Sequence, residues 1–375
     1  CLNSTGNVYS TESGNTNYIW NISTGGTITA GGTSSSNSVT ITWTTTGAKT
    51  VSVNYTNAGL CAAGAPTVYN VMVNAIPSPT IIGHAAVCMN GTPVVYSTQA
   101  GNSNYLWQIA SGGTVTAGGT TSSNTATVLW TTTGAKTVSV NYTTPGLCTA
   151  PSATILNIAV NPVPVPTITG PSNVCAFSTN NVYFTELGNS NYIWNVSAGG
   201  TITAGGTLTS SNVTVTWNGA GPRTVSVNYT NSSNCSASAP FVFPVTVSAL
   251  ASPVITGPPA VCAQSAGNIY TTESGNSNYV WNVSAGGTIT AGGTSTSNTV
   301  TVLWNTAGPQ SVTVNYTNTS ACSANTPTVY NVTVNPLPTP TLSGPATVCE
   351  NSSGNIYSTQ AGNTDYTWNI PASAT

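Results

Sequence analysis

The sequence predicts an all-β protein, built as a rod-like tandem array of β-sandwich domains. Three observations support this fold class: a period of 87 residues, alternation of apolar and polar residues at period two, and Gly, Asn and Pro between short strand-like runs. The stretch GNSNYIWNVSAGGTITAGG at 188–206 shows the period, since its copies begin at residues 14, 101, 188, 275 and 362. The period divides the chain into domains at 1–76, 77–163, 164–250, 251–337 and 338–375.

The third domain shows the elements in chain order. Gly199-Gly200 and Gly205-Gly206 are expected in turns, because glycine accepts positive φ. Pro244 places the last strand at an edge or a bulge. Strands are expected at 166–169, 181–185, 191–197, 201–204, 213–217, 224–229 and 241–247. About seven short strands per unit predict an immunoglobulin-like sandwich.

Two tryptophans per domain lie on strands that we assign to opposite sheets. Such residues are typical of the buried centre of a sandwich, so we interpret them as core and not as a sugar-binding platform. The candidate core aromatics are Trp20, Trp43, Trp107, Trp130, Trp194, Trp217, Trp281 and Trp304.

Short linkers, most of them rich in proline, connect the domains at 74–80, 161–167, 248–254 and 335–341. Alternating prolines favour stiff, extended backbone. We therefore expect each domain to hold a preferred angle to its neighbours, which are its main partners in the chain. The chain starts part-way through one repeat and stops inside another, so we expect a longer array.

Charged residues are scarce: Lys plus Arg is 3, Asp plus Glu is 5, and together they make up 2 % of the chain, against about 25 % in ordinary proteins. This argues against nucleic acid and against electrostatic contact with membranes. It also leaves little repulsion between copies of the chain, which favours lateral association. Most of the few charged residues follow the period of 87 residues. One position of the repeat holds Lys49, Lys136, Arg223 and the uncharged Gln310, and another holds Glu12, the uncharged Gln99, Glu186 and Glu273.

The nine cysteines form two interleaved series with alternating gaps of 60 and 27 residues. Regular cysteines without neighbouring histidines indicate disulfides in an oxidising, extracellular setting, and the single His84 disfavours zinc. We expect pairing within each repeat, with Cys349 left for a partner elsewhere: Cys1–Cys61, Cys88–Cys148, Cys175–Cys235 and Cys262–Cys322.

Pairing between neighbouring repeats is the alternative. Standard sandwich wiring places the two cysteines of a unit at opposite ends, whereas a disulfide needs Cα atoms within about 7 Å. Cys88 and Cys235 would then meet where facing ends touch. Bonds between chains and reduced thiols are the remaining options.

The sequence offers no set of residues suited to catalysis or metal binding. Each repeat has at most one glutamate where acid–base catalysis needs two carboxylates, and Asp365 is the only aspartate. The Gly-Gly pairs lie in hairpins and not between a strand and a helix, so they do not form a phosphate loop. We therefore expect no enzyme activity, no metal and no cofactor.

The succession PTITGPSNVC, NVY, NYIWNVSAGGTITAGG, VTVTW and TVSVNYTNSSNC resembles the PKD-like immunoglobulin-like repeats of giant secreted proteins of Bacteroidota. The resemblance covers the four substantial repeats. It implies a place among surface adhesins exported by the type IX secretion system, some of which are gliding-motility filaments. The sequence departs from PKD domains that carry acidic loops, so the resemblance implies no calcium site.

Three functions fit these observations. The first is the stiff, disulfide-stabilised shaft of an extracellular filament or cell-surface adhesin. The second is a multivalent glycan- or surface-binding module using strand faces that carry Thr201, Thr203, Thr214 and Thr216. The third is a fibre or sheath formed by lateral assembly of copies of the chain.

Overall fold

The regular elements are β-strands throughout the computed structural model, which describes residues 1–374. The first repeat contains β1 (Asn7–Ser10), β2 (Thr16–Ile22), β3 (Gly26–Gly31), β4 (Ser38–Trp43), β5 (Gly47–Thr56) and β6 (Thr67–Val73). The second contains β7 (Ala86–Cys88), β8 (Val94–Ser97), β9 (Ser103–Ile109), β10 (Gly113–Gly118), β11 (Thr125–Trp130), β12 (Gly134–Thr143) and β13 (Thr154–Asn161).

The third and fourth repeats contain the same seven strands as the second. The third contains β14 (Asn173–Cys175), β15 (Asn181–Phe184), β16 (Ser190–Val196), β17 (Gly200–Gly205), β18 (Asn212–Trp217), β19 (Gly221–Thr230) and β20 (Phe241–Ser248). The fourth contains β21 (Ala260–Cys262), β22 (Asn268–Thr271), β23 (Ser277–Val283), β24 (Gly287–Gly292), β25 (Thr299–Trp304), β26 (Gly308–Thr317) and β27 (Thr328–Asn335). Residues 338–374 contain the isolated bridge between Ser343 and Ser358.

Each of the first four repeats folds into two sheets around its own core. In the third repeat the sheet orders are β14-β20-β19-β16 and β15-β18-β17, and the second and fourth repeats share this topology. The first repeat has sheets β2-β5-β6 and β1-β4-β3. One cluster of buried residues drawn from both sheets fills each of these four repeats. The predicted tandem all-β array is confirmed.

Strict alternation explains why these segments form strands with one buried face. In β18, Val213, Val215 and Trp217 are fully buried, while Thr214 and Thr216 between them lie on the other face. Successive side chains of a strand point to opposite faces, so β-branched and aromatic residues at every second position line the core. The equivalent strands β4, β11 and β25 show the same pattern of burial.

The two tryptophans of a repeat lie in opposite sheets, as Trp194 on β16 and Trp217 on β18 illustrate. The indole Nε1 of Trp217 donates to the Tyr183 hydroxyl at 3.3 Å, and that of Trp194 donates to the Ser210 carbonyl at 2.9 Å. Each buried indole N–H thus has an acceptor, as a polar group in a core requires. Trp43, Trp130, Trp281 and Trp304 are likewise buried, whereas Trp20 and Trp107 are partly exposed.

The start of each repeat differs from the prediction. The expected strand at 166–169 is absent apart from a single bridge between Thr169 and Phe184. Pro164 and Pro166 lack the N–H groups that a ladder needs. The strand forms later, as β14, which pairs in parallel with the end of β20. This parallel pair sets the position of the first cysteine of the repeat.

The hairpin between β17 and β18 depends on glycine. Gly205 has φ of 66°, and a Cβ at this position would lie 2.4 Å from the Asn212 carbonyl oxygen. Because L-residues with a Cβ rarely adopt such φ, and because no space is available, only glycine fits here. The repeated Gly-Gly pair therefore marks a structural requirement of the hairpin.

Candidate functional site at the junctions between repeats

Three disulfides join consecutive repeats, and they form the most distinctive chemical feature of the structure. They are Cys1–Cys148, Cys88–Cys235 and Cys175–Cys322, with Cα–Cα distances of 5.6, 5.6 and 5.7 Å. Each has a sequence separation of 147 residues. The expectation of pairing within repeats is wrong, and the alternative between neighbours is the arrangement found.

Strand direction explains why pairing within a repeat fails. Cys175 lies opposite Ser248 in the parallel register, at the end where the chain leaves the third repeat. Cys235 precedes the start of β20 at Phe241, at the other end of the same strand. The seven steps along β20 cover about 23 Å, far beyond the roughly 7 Å that a disulfide spans. The first cysteine of a repeat therefore faces the next repeat.

The second cysteine of a bonded pair lies in a turn shaped by a side-chain oxygen four residues earlier, from Asn231 and Asn318 in the third and fourth repeats and from Thr144 in the second. The Asn231 side-chain oxygen accepts hydrogen bonds from the backbone N–H groups of Ser233 and Cys235, both at 3.0 Å. Asn234 adopts a left-handed φ of 59° just before the cysteine, a conformation that asparagine accepts more readily than most residues. The turn presents Cys235, fully buried, to Cys88 of the preceding repeat.

The same asparagine also bonds across the junction. The Asn231 Nδ2 group donates to the Pro162 carbonyl at 3.1 Å, and Asn318 donates to the Ala249 carbonyl at 3.0 Å. In the second repeat Thr144 occupies the equivalent slot, and the junction bond runs the opposite way, from Asn74 Nδ2 to the Gly146 carbonyl at 3.2 Å. Each disulfide is thus accompanied by a hydrogen bond to the last residues of the preceding unit.

A second set of contacts fixes the linker to the repeat that follows it. The Glu186 carboxylate accepts from the Thr167 N–H at 3.3 Å and the Thr167 hydroxyl at 2.5 Å. It also accepts from the Thr185 hydroxyl at 2.6 Å and the Tyr229 hydroxyl at 3.0 Å. Since Thr167 ends the linker, we call this arrangement the linker clamp. Glu273 forms the same clamp with the Val254 N–H at 3.2 Å.

The hydrogen bonds of the clamp shift the pKa values of Glu186 and Tyr229. Partial burial raises the pKa of Glu186, but the hydrogen bonds from Thr167, Thr185 and backbone N–H groups outweigh it and lower the pKa to about 2. Partial burial, the hydrogen bond to Glu186 and the charge of Glu186 together raise the pKa of Tyr229 to about 12. Glu186 is therefore ionised, and Tyr229 protonated, across the physiological range.

Glutamine replaces glutamate in two of the clamps. The Gln99 Oε1 accepts from the Thr80 N–H at 3.1 Å, and its Nε2 donates to the Ser78 carbonyl at 3.2 Å. Gln360 bonds to the Thr341 N–H and the Thr339 carbonyl in the same way. The sequence showed that Glu and Gln both occur at this position of the repeat, but it did not show what they bind. Glu and Gln both carry a side-chain oxygen acceptor, and their exchange at one position was the sequence signal for an acceptor role.

The remaining cysteines are free in the structure. Every pair of cysteines 147 residues apart in the chain is bonded. The free thiols are exposed, at Cys61, Cys262 and Cys349.

The other candidates from the sequence do not converge on a site. Thr201 pairs with Thr216 across the sheet, and the Thr203 hydroxyl donates to the Thr214 carbonyl of its own sheet at 3.4 Å. His84 is exposed, and its carbonyl accepts from the Tyr96 hydroxyl. Within residues 1–374, no three His, Cys, Asp or Glu side chains cluster as a metal site. The same residues include no helix of the length and apolarity needed to span a bilayer.

Comparison with known proteins identifies the class of these repeats. The PKD-like domain model matches residues 1–71, 74–158, 161–245, 248–332 and 335–375, so the chain belongs to the PKD-like domain family. The family match thus recurs five times along the chain. The search of curated proteins gave no matching relative.

Solved structures of tandem-domain proteins are similar at low sequence identity. Invasin, described as a bacterial integrin-binding protein, is 12% identical, with 88% of this chain and 75% of that chain covered and a TM-score of 0.28. The D00–D0 domain of intimin is 15% identical, covering 45% of this chain and 99% of that one, with a TM-score of 0.27. The human desmocollin-1 ectodomain is 9% identical, covering 86% and 72%, with a TM-score of 0.25.

Proposed function

We propose that this chain is part of the shaft of an extracellular filament or cell-surface adhesin, and that it acts mechanically without catalysing a reaction. The observation that carries the proposal is the set of disulfides that join the first four repeats to one another in series, at Cys1–Cys148, Cys88–Cys235 and Cys175–Cys322. A protein whose repeats only displayed separate binding sites would not need covalent bonds at three successive junctions.

The junction contacts support a stiff rod. On one side of the linker, Asn231 bonds to the Pro162 carbonyl, and on the other, Glu186 holds Thr167. Linker residues bonded at both ends lose most of their freedom to bend. The disulfides also support a location outside the cytoplasm, because such bonds persist in oxidising compartments.

The narrower resemblance to type IX-secreted proteins of Bacteroidota is part of the proposal. It is supported by the Gly-Pro-x-x-Val-Cys, Tyr-x-Trp and Gly-Gly-Thr patterns of the repeats. Under this hypothesis the shaft projects a tip away from the cell, and gliding filaments are one setting for it. Deleting type IX export in the source cell should remove the protein from the surface, and its continued display would contradict this part.

The shaft hypothesis is tested by binding of the full chain to glycan arrays and to abiotic surfaces. We expect no binding above that of an unrelated β-sandwich array, because a shaft carries its ligand elsewhere. Dose-dependent binding that scales with the number of repeats would overturn the proposal and favour a multivalent binding module.

Lateral assembly is a second candidate, favoured by exposed aliphatic residues that recur at one strand position in a chain with few charges. The outer face of β2 and its equivalents exposes one large aliphatic side chain at the same position in each of the first four repeats. These are Ile19, Leu106, Ile193 and Val280, with 59%, 57%, 55% and 55% of their surface exposed. A second copy carries the same exposed residues at the same period of 87 residues, and little charge to repel it.

Sedimentation equilibrium in low salt tests lateral assembly. The wild-type chain should associate, and a variant with lysine in all four slots should remain monomeric. A wild-type chain that stays monomeric at high concentration would rule out assembly through this face.

A further inference from the structure

The disulfide pattern divides the chain into segments that lie on the shortest covalent path along the array and segments that lie off it. From Cys148 the chain runs 27 steps (175 − 148) to Cys175, which is bonded to Cys322. We call the path through the segments 148–175 and 322–349 the first tether, to which Cys1 is attached through Cys148. The segments 61–88 and 235–262, joined by Cys88–Cys235, form the second tether.

The two tethers lie side by side in every complete repeat. In the third repeat, β14 belongs to the first tether and β20 to the second, and they pair in parallel from Asn173–Thr246 to Cys175–Ser248. The pairs β7–β13 and β21–β27 repeat this arrangement with the tethers exchanged. Both paths therefore run in the same direction along the array, each displaced by one repeat from the other.

The tether segments have little slack. In the segment 148–175, the strands β13 and β14 are extended, and Pro162, Pro164 and Pro166 keep the linker between them extended. The rest of each sandwich lies in the segments between tethers. In the third repeat, the segment 175–235 contains β15 to β19, with both core tryptophans.

We propose that the array bears tension along these two interleaved covalent tethers, so that the repeats cannot be extended by unfolding while the disulfides are intact. This inference rests on the proposed shaft function for its biological use. Its physical basis is the connectivity alone: a pull between Cys1 and Cys322 passes through two disulfides and only the 27 steps from Cys148 to Cys175. That path extends to about 105 Å, against about 1,100 Å for the chain without disulfides.

Single-molecule stretching of the full chain between its two ends tests the proposal. With all disulfides intact, the shortest covalent path has 80 steps, 27 in the tether and 53 from Cys322 to the end, so extension should stop near ~290 Å. A variant with serine at all six bonded cysteines should extend to about 1,300 Å.

Two matched variants separate interleaved tethers from ordinary cross-links. Cys88→Ser with Cys235→Ser removes a disulfide of the second tether, so the path through the first tether and the limit of ~290 Å should be unchanged. Cys175→Ser with Cys322→Ser removes an equivalent bond of the first tether. The shortest covalent path then runs from Cys148 back along the chain to Cys88, through the Cys88–Cys235 disulfide, and from Cys235 to the end. Its maximum extension is about 700 Å.

Peptide mapping of the two remaining disulfides in each variant precedes the stretching. Equal extension of the two variants, a wild-type chain that passes ~290 Å, or mapped bonds within repeats would each overturn the proposal. Glycan or surface binding by the chain would contradict the shaft function but leave the extension limits as they are. The failure of one proposal is therefore distinguishable from the failure of the other.

Discussion

The linker clamp leads to a sharp prediction for Glu186. The perturbation is Glu186→Ala, which removes the acceptor of four hydrogen bonds, including the one from the Thr167 N–H. We expect this N–H to lose protection, because the linker can then separate from the third repeat.

The magnitude follows from the carboxylate's surroundings. A pKa lowered from 4.5 to about 2 for Glu186 corresponds to roughly 3–4 kcal/mol of interaction before screening by water. The carboxylate is only partly buried, so water screens much of this interaction. We therefore expect a loss of about 1 kcal/mol, or roughly fivefold faster exchange of the Thr167 amide.

Hydrogen exchange resolved by NMR is the assay, and the chain supplies its own control. Glu186→Gln should keep exchange of the Thr167 amide within about twofold of wild type, because Gln99 forms the same clamp naturally. Protection of the Thr80 amide, held by Gln99, should be unchanged in both variants. The reasoning fails if Glu186→Ala leaves the Thr167 amide as protected as in wild type, or if Glu186→Gln exposes it equally.

The remaining predictions concern pH, core and thiols. Because the folded-state pKa of Glu186 is lowered to about 2, the stabilising effect of its carboxylate is complete above about pH 4.5 and is lost as pH falls through about 2. The NMR shift of the Thr167 amide should therefore titrate with a midpoint near about pH 2, while that of the Thr80 amide should not titrate. A midpoint near pH 4.5 would contradict the clamp. Trp217→Ala should destabilise the third repeat by about 3–5 kcal/mol because it empties the core, whereas exposed Ile193→Ala should change stability by less than about 0.5 kcal/mol in denaturant melts. Alkylation of the native chain, followed by mass spectrometry, should modify the three free cysteines, Cys61, Cys262 and Cys349, and spare the six bonded ones. Labelling of any bonded cysteine would contradict the pairing.

The periodic fold could be predicted because its causes are local. Alternation such as that of Val213, Val215 and Trp217 in β18 requires one buried face, and the Gly-Gly pairs require tight turns. The first strand was misplaced because β14 is only three residues long and is formed by a distant partner, β20. A local pattern says little about a strand whose hydrogen bonds come from more than seventy residues away.

By itself, the sequence determined the repeat length, the all-β class, the alternating core and the presence of disulfides. Only the tertiary structure decided which cysteines meet. Gaps of 60 and 27 residues fit pairing within or between repeats equally well, whereas the parallel pair β14–β20 puts Cys175 at the end of the sandwich that faces Cys322. The tethers and the linker clamps follow from the same fact: contacts across a junction depend on where each strand ends in space, and a one-dimensional period does not contain that information.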